Sequence, residues 1–465
     1  MREPSASFSL AAFAAAAALA GFSPQIFHDA DTWWHLASGR WILDHHAIPT
    51  HDVFSYTFAG TPWNAHEWLS EVLMAGAFGA AGWTGLHILF ALAFGVAAAT
   101  VAGALRRQMD FVPALLTSII GLACVAGSLL ARPHLLALPL LAIWTTALVK
   151  ARSRETAPPL WLALVMLVWA NLHGSFAFGL ALAAALGAEA IIAAPERGRT
   201  AKAWGIFVGV SILAALANPQ GLEGLLFPIR LLSMPGLATI GEWRPSDLSH
   251  PSPLLLALLV MTLVLLTGKV RLPIWRAVLI MALTYLALSH ARHAMLFGIV
   301  APLLAAPALG ATGPAKTQDI PRWLQPALAT LCLLLLLVRL ALPAARTDDP
   351  VTPMAALAHV PPELRARPVL NTYDYGGYLI DQGVRVFIDG RTDMYSTDFL
   401  KNDDRLVAGD AASLAATLAR YHIAWTIYPS GSRTAASLDR SLGWHRFYAD
   451  AHAVIHVRDQ PPPPG

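Results

Sequence analysis

Charged residues are scarce in this chain of 465 residues, which carries 32 Lys and Arg and 29 Asp and Glu, or 13% of its length. A typical soluble domain has about 25% charged residues, and the mean hydropathy here is +0.53. The composition therefore excludes a wholly soluble protein. The net charge of +3 is too small to indicate nucleic-acid binding. Cysteine is equally rare: Cys124 and Cys332 each lie in an apolar run, which excludes a disulfide framework or a cysteine zinc site.

The charges that are present are concentrated at one end of the chain. Of the 61 charged residues, 26 lie in positions 345–465, so about one residue in five is charged there, against about one in ten in positions 1–344. We therefore predict an α-helical polytopic membrane domain over 1–344 and a small C-terminal α/β domain over 345–465.

Long apolar runs account for most of the predicted membrane domain. A spanning helix needs roughly 20 apolar residues, and residues 68–81 are better explained as an interfacial helix. Residues 8–20, which end in Ala18-Leu19-Ala20, also resemble a cleavable signal peptide; both interpretations place residue 28 onward outside. Eleven spans are predicted, at about 8–27, 83–105, 111–131, 135–149, 159–173, 175–194, 204–218, 252–268, 273–289, 294–310 and 322–344.

Basic residues favour one side of the membrane. With the N-terminus in the cytoplasm, alternate loops hold most of the basic residues between spans, as the positive-inside rule requires. None of the 17 His lies in those loops, so the chemistry and the C-terminal domain are expected on the outer face of the cytoplasmic membrane. The basic loop residues are Arg106, Arg107, Lys150, Arg152, Arg154, Arg197, Arg199, Lys202, Lys269, Arg271, Arg276, Lys316 and Arg322.

The first outer loop, 28–82, is the richest in reactive side chains. Its first 40 residues, 28–67, hold six of the 17 His and four of the 15 Trp. Apolar spacing predicts a flat helix over Thr32–Leu43, capped by Asp31 or Thr32, and a second interfacial helix from Trp63. The Trp side chains suit membrane anchoring, with stacking on a sugar or prenyl group as the alternative.

Acidic and His side chains in this loop form the candidate catalytic site. Asp29 and Asp31 would repel each other in a partly desolvated site unless a cation or a proton-transfer role offset the cost. The alternative is that Asp31 only caps the helix and Asp29 is solvated. Asp29, Asp31 and Glu67 also suit Mg²⁺ or Mn²⁺, although a His could replace the metal. The candidate catalytic residues are Asp29, Asp31, His35, His66 and Glu67.

These features resemble those of the membrane-embedded GT-C glycosyltransferases. Those enzymes carry an acidic pair just after the first span, two membrane-parallel helices in that loop, many spans and often an outer C-terminal domain. His28-Asp29-Ala30-Asp31 occupies the position of their acidic motif, and His66-Glu67 that of a second acidic site. The resemblance implies transfer of a hexose or pentose from a polyprenyl-phosphate donor, usually with inversion, to a glycan, lipid or protein acceptor.

The implied reaction assigns roles to further residues. Asp31 or Asp29 would deprotonate the acceptor hydroxyl, and cations would stabilise the leaving lipid phosphate. Contact with ordinary lipid headgroups is the alternative for these cations. The donor-phosphate candidates lie in two short outer turns, His290, Arg292 and His293 in one and Arg132 and His134 in the other.

The C-terminal domain contributes acceptor-binding candidates. Tyr373-Asp374-Tyr375-Gly376 is similar to part of the Trp-Trp-Asp-Tyr-Gly motif by which oligosaccharyltransferases, also GT-C enzymes, read their acceptor, but the tryptophans are absent. Asp389 and Arg391, with Asp393, are expected to close over the acceptor. Ordinary turn chemistry is the alternative for both segments. Strands are predicted at Pro368–Leu370, Val384–Ile388, Ile423–Tyr428, Arg446–Ala449 and Ala453–Val457.

Two other functional classes remain open. A secondary transporter usually has charges near the bilayer midplane and internal repeats, whereas Glu189 and Arg339 lie toward span ends and no convincing repeat is present. A non-catalytic scaffold or sensor would suit the outer domain. It gives no reason for the acid- and His-rich first loop.

Overall fold

The computed structural model of the protein describes residues 6–231, 234, 241–310, 323–342 and 344–459. The helices in these ranges are α1 (Ala6–Phe22), α2 (Asp31–His45), α3 (Trp68–Gln108), α4 (Phe111–Ala123), α5 (Pro133–Ser153), α6 (Ala163–Leu172), α7 (Phe176–Ala193), α8 (Arg197–Leu216), α9 (Leu222–Leu231), α10 (Pro253–Leu266), α11 (Ile274–Ser289), α12 (Ala294–Gly310), α13 (Leu324–Ala341), α14 (Met354–Ala358), α15 (Pro362–Arg365), α16 (Tyr373–Asp381), α17 (Thr397–Val407), α18 (Ala411–Arg420) and α19 (Arg433–Leu438). The strands are β1 (Val369–Asn371), β2 (Trp425–Pro429), β3 (Trp444–Ala449) and β4 (Ala453–Arg458).

The described residues divide into two compact units. The helical unit draws its residues from Met1–Gln25, Thr84–Arg230 and Ala238–Pro343. The mixed unit draws its residues from Ile26–Trp83, Leu231–Leu237 and Ala344–Gly465. The first outer loop thus belongs to the same unit as the C-terminal segment, whereas the predicted boundaries had grouped it with the membrane helices.

Apolar helices build the helical unit and make the chain a multi-pass membrane protein. Each of the eleven predicted spans coincides with one of these helices, while the number that crosses the membrane stays a prediction. Within the part of the chain that the structure describes, four apolar helices are shorter, at Ala6–Phe22, Leu160–Leu172, Pro253–Leu266 and Ile274–Ser289. In the same described part, seven are long enough to span a bilayer, at Trp68–Gln108, Phe111–Ser128, Pro133–Ser153, Phe176–Ala193, Arg197–Leu216, Ala291–Gly310 and Leu324–Ala341.

Two features of these helices bear on the predictions. The expected interfacial helix at 68–81 is the first part of α3, which kinks at Ala81 and at Gly82, whose φ is +57°. Glycines bring α4 and α12 together: a Cβ on Gly121 would lie 2.5 Å from the carbonyl oxygen of Gly298. Small residues of this kind let membrane helices approach backbone to backbone, so α4 and α12 form a closely packed pair.

The mixed unit contains a four-stranded sheet with the order β1-β2-β4-β3. β1 runs parallel to β2, with Leu370 opposite Thr426, and β4 runs antiparallel to both β2 and β3. Side-chain caps begin the helices packed around it: the Ser396 hydroxyl accepts from the Phe399 N–H, and the Asp410 carboxylate accepts from the Ala412 N–H. The small α/β domain that composition predicted is therefore present.

The tryptophans of the first outer loop lie in the core of the mixed unit. Trp33, Trp34 and Trp63 are buried in the same hydrophobic cluster as Trp425 and Ile455 of the sheet. Their rings pack against protein, so the membrane-anchoring interpretation is wrong for these three side chains.

One predicted strand is wrong, one helix was not predicted, and two predicted cytoplasmic residues lie outside the description. Val384–Ile388 is not a strand, because the Val386 backbone pairs with Phe54 and Tyr56 in the first outer loop instead. α9 was not predicted. The expected cytoplasmic Lys316 and Arg322 lie outside the described residues.

Candidate active site

The start of α2 separates the two aspartates of the acidic motif. The buried Asp29 carboxylate accepts from both the backbone N–H and the hydroxyl of Thr32, each at 3.1 Å. It therefore caps the helix, the role that the sequence had suggested for Asp31. Asp31 is half-buried, and its Oδ1 would lie 1.9 Å from a Cβ placed on Gly390. Gly390 is thus the residue whose missing side chain leaves room for the Asp31 carboxylate.

Close packing of α2 on α3 assembles the acid and His side chains. A Cβ on Gly39 would lie 2.0 Å from the Glu71 carbonyl oxygen, so the two backbones meet there. One turn away, His35 Nδ1 lies 3.3 Å from Glu71 Oε1, and the Ser38 hydroxyl donates to Glu71 Oε2 at 2.6 Å. The buried His35 is thereby held in one orientation by Glu71.

The second side of the same imidazole faces Glu67. His35 Nε2 lies 3.9 Å from Glu67 Oε2, and Glu67 Oε1 lies 3.7 Å from His66 Nε2. The side chains of Glu67 and His66 are 13% and 23% exposed, whereas that of His35 is 3% exposed. Three of the five predicted catalytic residues therefore form a chain of contacts that runs from the protein interior toward solvent.

The Tyr-Asp-Tyr-Gly-Gly segment packs against α2. A Cβ on Gly377 would lie 2.3 Å from the Ala30 carbonyl oxygen, so only glycine permits this approach of α16. The buried Tyr375 donates its hydroxyl to the His452 carbonyl, and Tyr373 donates to that of Gly390. Asp374 is exposed. Packing and hydrogen bonding therefore account for Tyr373, Tyr375 and Gly377. Within this segment, the prediction of acceptor binding now rests on the exposed Asp374.

Asp389 and Arg391 form a buried ion pair with each other. Arg391 donates to both carboxylate oxygens of Asp389 and, at 2.6 Å, to Asp52, and all three side chains are fully buried. Phe54 and Trp63 lie over the guanidinium at 5.1 and 4.8 Å. Burial and saturated hydrogen bonding remove these two side chains from contact with an acceptor, so we correct that prediction to a structural role.

Burial raises the pKa of two acidic groups in the mixed unit. Burial raises the pKa of Asp393, although His66 and Arg391 oppose the shift. Burial also raises the pKa of Tyr395, whose hydroxyl donates to Asp389. A proton is therefore held more tightly on these groups than in water.

The predicted metal ligands do not form a cation site in this arrangement. Among the described residues, no three His, Cys, Asp or Glu side chains are grouped so that they could hold a metal ion. The Asp29 carboxylate is already engaged by Thr32. The predicted set of Asp29, Asp31 and Glu67 thus does not fit Mg²⁺ or Mn²⁺ in the arrangement described.

In the helical unit, two arginines converge on one carboxylate. Glu242 Oε1 lies 3.5 Å from Arg132 Nη1 and 3.2 Å from Arg292 Nη1, and the Arg292 guanidinium lies 4.5 Å from the Trp243 ring centre. The imidazoles of His290 and His293 are 5.1 Å apart between ring centres. The two predicted turns therefore meet, with Glu242 between them.

Two cavities follow one another along α4 and α12. A cavity of about 270 Å³ is lined by Cys124, Ser128, His134, Glu242 and Arg292. An apolar cavity of about 130 Å³ lies further along the same two helices, beside residues that include Thr117, Gly121, Phe297 and Pro302. A polar end lined by His134, Glu242 and Arg292, with an apolar continuation, suits an amphiphilic ligand with a polar head.

Comparison with known proteins gives a match at the level of fold. No family model matches the chain, and no curated protein matches it. A solved structure of the archaeal oligosaccharyltransferase AglB from Archaeoglobus fulgidus, in complex with an inhibitory peptide and a dolichol-phosphate, superposes with a TM-score of 0.59 at 12% sequence identity. The match covers 90% of this chain and 69% of that chain.

The chain shares its fold with this AglB structure. The predicted fold class, a GT-C-like polytopic helical membrane protein with a small C-terminal α/β domain, is thereby confirmed. The resemblance that rested on the acidic motif and its position is confirmed at the level of fold too.

Two residues of the site geometry described above, Glu71 and Glu242, were missed from the sequence. Glu71 lies four residues after Glu67 and so on the same helical face, just as Ser38 follows His35 by three; this spacing could have found it. Glu242 precedes Trp243 in the segment between α9 and α10, and no local pattern connects it with Arg132 and Arg292.

Proposed function

We propose that the protein is an inverting membrane glycosyltransferase. It moves a sugar from a polyprenyl-phosphate donor to an acceptor hydroxyl on the outer face of the cytoplasmic membrane. The observation that carries the proposal is the cluster of His35, Glu67 and Glu71 beside the half-buried Asp31, in a chain with an oligosaccharyltransferase fold. The AglB structure contains a dolichol-phosphate, which supports a lipid-linked donor here.

Asp31 is the proposed general base. Its neighbour Asp29 caps α2 through two hydrogen bonds from Thr32. Asp31 lies four residues before His35 and so on the same face of α2, which is why the base is assigned to Asp31. The acceptor hydroxyl gives its proton to Asp31 as its oxygen bonds to the anomeric carbon. The bond from that carbon to the phosphate oxygen breaks, and its electron pair stays on the phosphate. One displacement of this kind inverts the anomeric configuration.

The donor's phosphate is assigned to the polar cavity of the helical unit. Arg132 and Arg292 carry two positive charges against the single charge of Glu242, so they can offset the charge that develops on a leaving phosphate. The apolar cavity along α4 and α12 suits the first units of a prenyl chain. His134, His290 and His293 complete the proposed phosphate-binding set.

A panel of labelled polyprenyl-phosphate sugars tests the proposal. The purified wild type in detergent is incubated with each donor and an acceptor mixture, and liberated prenyl phosphate is measured by mass spectrometry. We expect release with at least one hexosyl or pentosyl donor and loss of release in Arg292→Gln. Binding of the donors without release, together with sugar flux in proteoliposomes, would instead identify a transporter, the second functional class.

A further inference from the structure

A buried cluster of charges connects three apolar helices of the helical unit. Glu189 of α7 lies with its Oε1 3.3 Å from Arg152 Nε of α5 and 3.4 Å from Arg276 Nε of α11. The side chains of Glu189 and Arg276 are 5% and 7% exposed, and that of Arg152 is 15% exposed. Arg276 also donates to the Leu304 carbonyl at 3.2 Å. The cluster lies at the helix ends that carry the basic loops.

The charges of this cluster do not balance. Two guanidinium groups share one carboxylate, which leaves one positive charge in excess. Among the described residues, the buried Nε atoms of Arg152 and Arg276 and Glu189 Oε2 have no hydrogen-bond partner. Both Nε atoms lie at ion-pair distance from Glu189, but a buried excess charge is costly among apolar helices. An anion bound to the Arg152 guanidinium would neutralise that excess.

A cavity of about 530 Å³ lies next to Arg152. Its apolar lining residues include Ala190, Ala193, Ala203 and Trp204. Its polar lining residues include Thr156, Glu196, Arg199 and Thr200. The volume is in the range of small-molecule sites, and its position at the ends of apolar helices is where headgroups of bilayer lipids lie.

We infer that this cavity binds the phosphodiester headgroup of a membrane phospholipid, with its phosphate against Arg152. A phosphodiester carries one negative charge, which equals the excess of the cluster. Inorganic phosphate or a phosphomonoester carries more negative charge than this excess. The carboxylates of Glu155 and Glu196 at the cavity would repel that additional charge. Basic pockets between membrane helices are known binding sites for anionic lipid heads. The inference does not depend on the proposed transferase activity.

Lipid binding to the delipidated wild type tests this inference. Phosphatidylglycerol, a galactosyl diacylglycerol that lacks phosphate, and inorganic phosphate are added separately, and binding is followed by native mass spectrometry and thermal unfolding. We expect phosphatidylglycerol to bind and to raise the midpoint of unfolding. If the galactolipid binds and stabilises as well as phosphatidylglycerol does, the site does not recognise phosphate. If inorganic phosphate raises the midpoint of unfolding as much as phosphatidylglycerol does, the ligand need not be a lipid.

Two variants locate the site. Arg152→Gln is expected to weaken phosphatidylglycerol binding about 10-fold or more, since a hydrogen bond to a charged group is lost. Lys150→Gln removes an exposed charge two residues away that does not line the cavity, and should bind as wild type does. Equal affinity of the two variants for phosphatidylglycerol would refute the placement of the phosphate against Arg152. If Arg152→Gln does not fold, the comparison of the three ligands on the wild type still tests whether the cavity binds a phospholipid.

Discussion

Removal of the buried Arg391 side chain should destabilise the mixed unit strongly. Arg391→Met keeps much of the side-chain volume but leaves Asp389 and Asp52 as two carboxylates without their cation, both fully buried. Breaking a buried pair by removing one partner costs about 3–5 kcal/mol. For a unit of this size that loss corresponds to a fall of about 6 to 20 °C in the midpoint of thermal unfolding.

The matched control is an arginine pair at the surface of the same unit. Arg446 donates to both oxygens of Asp439, at 3.1 and 2.6 Å, but its side chain is 51% exposed. Arg446→Met should therefore cost at most about 1 kcal/mol. Unfolding of the purified full chain is followed by near-ultraviolet circular dichroism. Equal losses in the two variants would refute the reasoning that burial makes Arg391 a structural residue.

Two further predictions concern the same unit. Burial, Asp404 and Asp374 raise the pKa of Asp403 to about 7, so its stabilising protonated form is present at low pH and is lost as the pH rises from about 4 to above 7. Asp403→Asn should approach the wild-type unfolding midpoint at about pH 4 and exceed it by a growing margin as the pH rises to 8, and a constant difference would contradict this. Gly377→Ala should lower the midpoint because its Cβ would meet the Ala30 carbonyl oxygen, whereas Gly79→Ala, whose Cβ would meet nothing within 4 Å, should not; equal midpoints would contradict the close approach of α16.

The membrane helices were predictable because lipid imposes a simple requirement. Backbone groups in a bilayer must be satisfied within the segment, so each long apolar run has to be a helix, and the runs at 111–131 and 294–310 correspond to α4 and α12. The predicted strands at Ile423–Tyr428 and Ala453–Val457 likewise correspond to β2 and β4. Val384–Ile388 failed because its backbone partners lie in the first outer loop, more than 300 residues earlier in the chain.

The candidate site was predictable in composition but not in arrangement. The density of acids and His in 28–67 predicted the loop in which His35, Glu67 and His66 come into contact. The difference between Asp29 and Asp31 depends on the local path of the chain into α2, which places Thr32 under one carboxylate and Gly390 beside the other. Asp389 and Arg391 resembled an ordinary turn, since nothing near them in sequence indicates the partner Asp52.

Sugar release by an Asp31 variant tests the central claim most directly. Asp31→Asn removes the proposed base, and Asp44→Asn removes an exposed carboxylate from the same helix. With a donor that the wild type uses, the rate of prenyl phosphate release is measured for all three proteins after each is shown to unfold at a similar temperature. The account predicts a loss of about 10²–10⁴-fold for Asp31→Asn and an unchanged rate for Asp44→Asn. Equal rates in Asp31→Asn and the wild type would contradict it.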